Sequence, residues 1–544
     1  MNDVTYYRIS GTILKTSYCI FDLMKKRNVI FKVLSGIVIT ILLIIIVINA
    51  IVEPWLIKKI ETAVHEKSDS YQIDIKGLDI LIFQRGVSLK NITVQSVTAT
   101  DSVPVFLGNI SSIEVKGIKL MGALLRKEIE IRELVVSNSD LNGELAFPKQ
   151  QGAKIVSPVS VRISKIVVDE LDVTIANAAS AQSFLMKEGY LKANNFHVEK
   201  MDTLTPEAIG QFDFNTKEFT MVSPDSLNTF SAMDVSYLAS TNDLSVSSFS
   251  LLPNYTNYQF TGLFPYRKAR VNVEINELVF HDFPVANFLK SGNIISSSVE
   301  IGKMELQLFI DKRKGFSPEP KAVFLQRLYD FPGIVHIDSI VVLDGSVVYL
   351  EHAELADEPA VIWFDALNAH VYNMTNDTIF KTEEGYFDFK ADALFMSKAK
   401  MNIALTGRLF DREHSFNMNG NLSSIAIAEV NAIVEKNLFI NAESGTIDAM
   451  NFSLAANDTK ATGKMILLYH DLKIAVVNKQ TNESKALKEK VVSGIANIIV
   501  MDANPKKGKT VREAVIEHDR EPEKPFFNYC ALSLLSGIKP SLIK

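Results

Sequence analysis

The chain has 544 residues, 47% of them hydrophobic and 22% charged, with a net charge of −6. That length is enough for a large core or an elongated body of several layers, and the mild acidity excludes the broad basic face that nucleic-acid binding requires. Two cysteines, Cys19 and Cys530, exclude a disulfide framework and a cysteine-ligated metal site.

Residues 1–32 read as a cytoplasmic segment that ends in basic residues, Lys25, Lys26, Arg27 and Lys32. Read from Met24, "MKKRNVIFKVLSG" has the form of a natural start, which would leave residues 1–23 untranslated. Residues 33–52, "VLSGIVITILLIIIVINAIV", contain no charge, and about 20 apolar residues span a bilayer core. A cleaved signal peptide would carry a shorter apolar run followed by small residues, a pattern that Asn49-Ala50 fits poorly. The reading is an uncleaved transmembrane helix. By the positive-inside rule, its N-terminus is cytoplasmic and the rest of the chain lies on the far side. Lys25, Lys26, Arg27 and Trp55 then mark the membrane interface, and the chain is expected to cross once.

Residues 53–69 follow as a short amphipathic juxtamembrane helix, with Ile57, Ile60 and Val64 on one side and Pro54 in the first turn. From 70 to about 480, short apolar-alternating segments are broken by Asn, Asp, Gly and Ser, which predicts a mainly β domain. Helical periodicity interrupts it at "VANFLKSGNI" (Val285 to Ile294) and more weakly at "AEVNAIVEKN" (Ala428 to Asn437).

One pattern recurs in this region. In "VSLKNITV", Val87 and Leu89 alternate with polar residues, but Ile92 and Val94 alternate in the opposite phase, so the apolar set slips at Lys90-Asn91. Five more stretches repeat it strictly, starting at Ile73, Ile113, Leu191, Leu244 and Val299. Four relatives start at Ile129, Val161, Val273 and Val335. Chance would give about two strict matches, so the excess is real. A straight strand would aim the second pair at the other side of the sheet. Either the backbone bulges or bends at each slip, or two short strands meet there at a turn. Both readings imply many repeated units and a quasi-one-dimensional architecture.

Catalytic patterns are missing. The nine histidines are scattered, and no HExxH, GxSxG or CxxC occurs. His336 and His352, in or beside predicted strands, read as surface or satisfied histidines. Gly508-Lys509-Thr510 imitates the end of a phosphate-binding loop, but Ala503 stands where glycine is needed and Pro505 removes an amide donor. No enzyme activity, cofactor, metal or nucleic-acid partner is expected. The tail, 481–544, holds "FFNYCALSLLSGI", too short to span a membrane as a helix. It would close the end of the β domain or touch a partner or an opposite membrane.

The order of these elements resembles AsmA-like bacterial envelope proteins. The similarity lies in the basic start, the single span, the proline-led helix and "YQIDIKGLDILIFQRGVSLKNITVQSV". Ser444 to Lys479 resembles the closing segment of large bacterial AsmA-like chains, and "EKPFFNYCALSLLSGIKPS" (Glu523 to Ser541) their terminus. The resemblance implies a bridge-like lipid-transfer protein: an elongated, strongly curved antiparallel β-sheet forming a taco-like β-groove with an apolar lining. It implies anchorage in the bacterial inner membrane, the bulk of the chain in the periplasm, and phospholipid cargo for envelope maintenance. An outer-membrane or periplasmic partner would meet the C-terminal tail. About 30 strands at ~4.8 Å each would extend on the order of 140 Å. The implied groove residues are Ile73, Ile75, Val87, Leu89, Ile92, Val94, Ile113, Val115, Val161, Ile163, Val273, Ile275, Val299, Ile301, Val335 and Ile337. The alternative for each is ordinary core, and for the whole a structural or scaffolding periplasmic β-protein with a closed core and no lipid.

Overall fold

Pro54 stands in the first turn of the first helix, α1 (Glu53–Lys67), where its missing N–H costs nothing. The helix runs along the first strand, β1 (Tyr71–Leu81). Glu61 Oε1 accepts a hydrogen bond from the Ile75 N–H (3.1 Å) and Glu53 Oε1 one from the Ile80 N–H (3.3 Å), so α1 occupies the otherwise unpaired edge of the sheet. This computed structural model describes residues 51–67, 71–96, 106–119, 128–144, 160–176, 182–198, 210–354, 356–381, 385–431, 440–476 and 501–542. Nearly all of the expected span, Lys25, Lys26 and Arg27, and most of "AEVNAIVEKN" lie outside the described residues. Among the described residues no helix is long and apolar enough to cross a membrane.

The first half of the chain continues with β2 (Gly86–Ser96), β3 (Phe106–Lys116), β4 (Glu128–Glu144), β5 (Ser160–Ala176), β6 (Ser183–Val198), β7 (Gln211–Val222), β8 (Asn228–Leu238) and β9 (Asp243–Pro253). Next come α2 (Asn257–Gly262), β10 (Arg270–His281), α3 (Val285–Ser291), β11 (Ile294–Ile301), β12 (Met304–Asp311) and α4 (Phe324–Tyr329). The second half holds β13 (Val335–His352), β14 (Ala360–Thr375), β15 (Tyr386–Phe395), β16 (Ala399–Arg408), β17 (Phe416–Leu422) and β18 (Ile425–Ala426). It ends with β19 (Ile440–Ala456), β20 (Lys460–Val476), β21 (Ala514–Asp519) and α5 (Phe526–Leu542).

The 21 strands of the described residues all belong to one sheet, whose successive places follow chain order. The 21 strands occupy 19 successive places, because β11 with β12 and β17 with β18 each share one. At ~4.8 Å per place the sheet is roughly 90 Å from edge to edge, shorter than the 140 Å expected from 30 strands. The overestimate has a physical cause: the slipped units are the two arms of single kinked strands, which reach 18 residues in β13. The sheet is also mixed rather than antiparallel. β4 pairs in parallel with β5, and β11 and β12 pair in parallel with β13. Between β12 and β13 the chain returns along the sheet through 312–334, which carries α4.

The slips are kinks held by left-handed residues. Asn91 has φ 49°, yet the pairing of β2 with β3 runs in constant register from Val87↔Val115 to Val94↔Gly108, so no residue is left over as a bulge would require. The neighbours bend at the same place instead. Register sets Asn91 opposite Ser111, then Asn138 (φ 49°), then Glu170 (φ 52°). Further along lie Glu188 (φ 49°), Asp234 (φ 47°) and Glu277 (φ 65°), the last accepting a hydrogen bond from the Gly302 N–H at 2.7 Å. A second seam passes through Gly117 (φ 71°), Arg132, Ser164 and Asn195 (φ 60°), and a third joins Asp338 to Asn373 (φ 58°). All ten slips of the sequence pattern fall on these seams. Register does shift by a residue where β5 meets β6 and where β13 meets β14, so true bulges are also present.

The left-handed region costs most residues about 1–2 kcal/mol; Asn and Asp tolerate it best and β-branched residues least. Glu277→Gly should therefore raise stability by up to about 1 kcal/mol and Asn91→Val lower it by about 1–2 kcal/mol. Urea unfolding of the two variants checks the opposite signs.

Candidate functional site

Residues opposed across a strand pair project to the same side. Following partner to partner from Leu78, the register traces Leu89, Ile113, Val136, Val168, Leu191 and Phe214. The row continues through Tyr237, Leu244, Phe280, Val299, Ile340 and Val371. It ends with Phe389, Leu405, Met418, Leu454, Gly463 and Ile516. One uncharged row thus crosses every place in the sheet. A second row, beyond the first seam, runs from Ile73 through Val94, Gly108, Leu141, Val173 and Met186. It goes on through Phe219, Ala232, Phe249 and Ile275 to Met304.

The kinks turn both arms of a strand to the same side. Ile75 and Leu78 flank the slip at Lys76-Gly77 and are both buried. Leu422 and Ile425, separated by Ser423-Ser424, pack in one cluster, as do Ile337 and Ile340 across Asp338-Ser339. Ile75 and Ile80, five positions apart, both point their N–H groups to the outer edge of β1, which an unkinked strand forbids. On the outer side, polar residues at and beside the slips pair across strands: Lys165 with Glu133 (2.8 Å), Lys187 with Asp172 (3.0 Å) and Lys217 with Glu188 (2.9 Å). The hydrogen bond from Lys165 holds the Glu133 carboxyl below its usual range. Such pairs fix register more than they stabilise.

Cover over the apolar side is unequal. In β2–β7 the first-row residues Leu89, Ile113, Val136, Val168, Leu191 and Phe214 are only partly buried. Among the described residues, α3 reaches this half, with Val285 and Ala286 against Phe212 and Tyr237. In the second half, Leu405 (9% exposed), Met418 (5%), Leu454 (3%) and Ile516 (0%) are sealed beneath two helices. α4 contributes Leu325, and its Tyr329 hydroxyl accepts the Phe410 N–H at 2.8 Å. α5 lays Tyr529, Cys530, Leu534 and Ile538 on the strands and closes so tightly at Gly537 that a Cβ there would stand 2.7 Å from Ile516. Burial pushes the Cys530 thiol and the Tyr529 hydroxyl up to about 12, so this seal is uncharged at neutral pH. The segment between β12 and α4 is tied to the same end, with the Lys321 N–H donating to the Pro522 carbonyl at 2.7 Å.

The sequence-derived groove residues fall on this apolar side. Val87, Leu89, Val94, Ile113, Val115, Val161, Val273 and Ile301 are partly buried, as is Ile73. Ile75, Ile92, Ile163, Ile275, Val299, Val335 and Ile337 are buried among their neighbours. Register joins Ile73 to Val94, Ile75 to Ile92, Leu89 to Ile113 and Val87 to Val115; Val335 and Ile337 instead pack with Val299 and Leu328 of α4. Trp55 projects from α1, 60% exposed, with Lys59 Nζ 5.9 Å from its ring. Sequence reasoning left open whether the tail was strand or helix; it contains β21, which extends the sheet, and α5. It missed α2, although Thr256 and Gln259 carry a helix-start signature realised as a 3.2 Å bond from the Thr256 N–H to Gln259 Oε1.

A charged cluster at the ends of β12 and β13 has the residue types of an active site. Arg313 donates twice to Asp311 (2.8 and 2.7 Å), Lys312 pairs with Glu351 (2.5 Å), and the Tyr349 hydroxyl donates to Glu351 at 2.6 Å. Burial, then the Glu351 charge, drive the Tyr349 pKa far up. His352 Nε2 faces the Ala356 carbonyl (2.8 Å) and therefore donates, which leaves Nδ1 to accept from Tyr258 (2.8 Å). These charges are spent on one another. Among the described residues no group of His, Cys, Asp and Glu is arranged to hold a metal.

No protein-family model matches the chain, and no curated protein does.

Asp311 is held below the usual carboxylate range by its hydrogen bonds from Arg313. Its stabilising contribution is complete above the unfolded value, about 4, and drains as pH falls toward the folded one. Acid titration of stability should show a smaller loss below pH ~4 in Asp311→Asn than in the native chain. Gly537→Leu should cost about 1–3 kcal/mol by lifting α5 from Ile516, read as a lower denaturation midpoint.

Proposed function

We propose that this chain is a membrane-anchored envelope protein of the AsmA-like type that shelters the acyl chains of phospholipid on the apolar side of β1–β12. The supporting observation is the uncharged row that crosses the whole sheet and lies only partly covered in the half that follows the anchor. In this reading the kink seams curve the sheet into a trough, the span 33–52 fixes its first strand at the inner membrane, and the bulk of the chain is periplasmic. An acyl chain leaving a bilayer loses about 0.8 kcal/mol per methylene, roughly 12 kcal/mol for a 16-carbon chain, which a continuous apolar strip offsets while the headgroup stays in water. No pocket is required.

A second reading has its own support. The sealed cluster under α4 and α5 is an ordinary closed core, as a scaffolding β-protein would have throughout. The two readings separate by position. Photo-crosslinkers at Leu89 and Val115 should capture phospholipid in cells, and one at Leu405, beneath α5, should not. Phospholipid should also co-purify with the gently extracted chain in native mass spectrometry. Loss of both signals, with the protein folded, would leave the scaffold reading.

A further inference from the structure

The tip of the β1–β2 hairpin joins the sheet through its backbone, the Gln84 and Arg85 carbonyls accepting from the Gly117 and Ile118 N–H groups (both 2.9 Å), while its apolar side chains point away. A single 3₁₀ turn, Ile82–Gln84, joins the strands, and Phe83 is fully exposed, with Ile82 57% exposed beside it. Two more large apolar residues, Ile51 (63%) and Trp55 (60%), stand exposed at the start of α1. These four belong to one end of the molecule, because Glu53 Oε1 bonds the Ile80 N–H and Glu61 Oε1 the Ile75 N–H, so α1 and β1 run in opposite directions. The exposed cations Lys58 and Lys59 follow Trp55 on α1, Lys59 Nζ lying 5.9 Å from its ring, and the exposed Arg85 directly follows the turn. Isolated exposed apolar residues are ordinary, but four at one end with a basic rim mark an interaction surface.

We infer that this end docks on the bilayer from which the chain emerges, with Ile82 and Phe83 inserted beside the anchor and the apolar rows opening directly onto lipid. The inference rests on the reading of 33–52 as a membrane span. That run ends at Val52, one residue before α1, which places Glu53 at the interface. From there α1 leads away from the membrane and β1 leads back toward it. Ile82 and Phe83 lie two and three residues past Ile80, so they reach roughly 5–10 Å beyond Glu53, the depth at which apolar side chains enter the headgroup and acyl boundary. Trp55 suits the same boundary, and Lys58, Lys59 and Arg85 suit anionic headgroups, each adding about 1 kcal/mol of attraction. Next to the tip, above Leu81 opposite Gly86, the pair Ile80 with Val87 continues to Val115 and Leu134, so an acyl chain displaced by Phe83 meets apolar surface within two residues.

Only two tryptophans occur, Trp55 and Trp363, which makes the test direct. Full-length chain is reconstituted into phosphatidylethanolamine–phosphatidylglycerol vesicles with ordinary or brominated acyl chains. Three probes are read: Trp55 alone (Trp363→Phe), and Phe83→Trp or Val515→Trp with both native tryptophans replaced by Phe. Brominated lipid should quench Trp55 and Phe83→Trp by at least about half and leave Val515→Trp, an exposed site in the last strand, unchanged. If the chain floats with the vesicles but Phe83→Trp is not quenched, the docking inference fails and the anchor stands; shielding of Phe83→Trp only at high protein concentration would assign the tip to a second copy instead. If the chain does not float, the anchor fails and the inference with it.

Discussion

Each kinked strand in this protein has to present the same side after its bend, and the rest of the structure depends on how that is arranged. A β-strand alternates strictly, so a bend that simply redirects the chain would send the second arm's apolar residues to the wet side. Placing one residue in the left-handed region resets the alternation without consuming a pairing partner, as the constant register around Asn91 shows. Because the adjacent strand must bend at the same level to stay paired, the device propagates sideways. The result is a seam, and the seam is what lets separate apolar pairs join into rows that span the sheet.

This arrangement explains what the sequence revealed and what it hid. The slip in "VSLKNITV" was legible because Val87, Leu89, Ile92 and Val94 are too regular to be accidental, and Asn91 is a residue type at home at positive φ. Its partner at Ser111 was not legible as a kink, since serine carries no comparable signal. Nor was Glu277, a residue with no preference for that conformation, held there by its neighbours and by the Gly302 N–H. The strand count was too high for the same reason: a kink and a turn look alike when pairing partners are unknown. The parallel pairings of β4 with β5 and of β11 and β12 with β13 were not legible, because nothing local in a strand encodes its direction.

Cover over the apolar side was the least legible feature. "FFNYCALSLLSGI" is apolar enough to suggest burial, but its partner surface comes from β16–β21, which local pattern cannot assemble. Gly537 reads as a helix weakener until Ile516 and Met465 are seen against it; there the absence of a side chain is what admits the sheet. Likewise the Leu325 and Tyr329 positions of α4 match a six-residue helix too short for periodicity to announce.

The asymmetry between the two halves constrains any transfer mechanism more than the length does. A conduit needs an apolar path with two open ends, yet the rows that are only partly covered in β2–β7 run into a close-packed core under α4 and α5. Nothing the size of an acyl chain fits between Leu405, Met418, Leu454 and the helix above them without moving α5, and α5 is pinned at both ends: Tyr529 donates to the Asn457 carbonyl, and the Ser541 carbonyl accepts from Tyr469. In the proposed reading, a lipid entering near the anchor would therefore leave by the same mouth, sideways along the open strands, or through a partner that displaces α5. Of these, sideways exit would need no conformational work, because in the proposed reading the headgroup stays in water along the whole open half. If the proposed lipid cargo is real, this asymmetry suits a holder that hands lipid across its flank better than a pipe that delivers it from its tip.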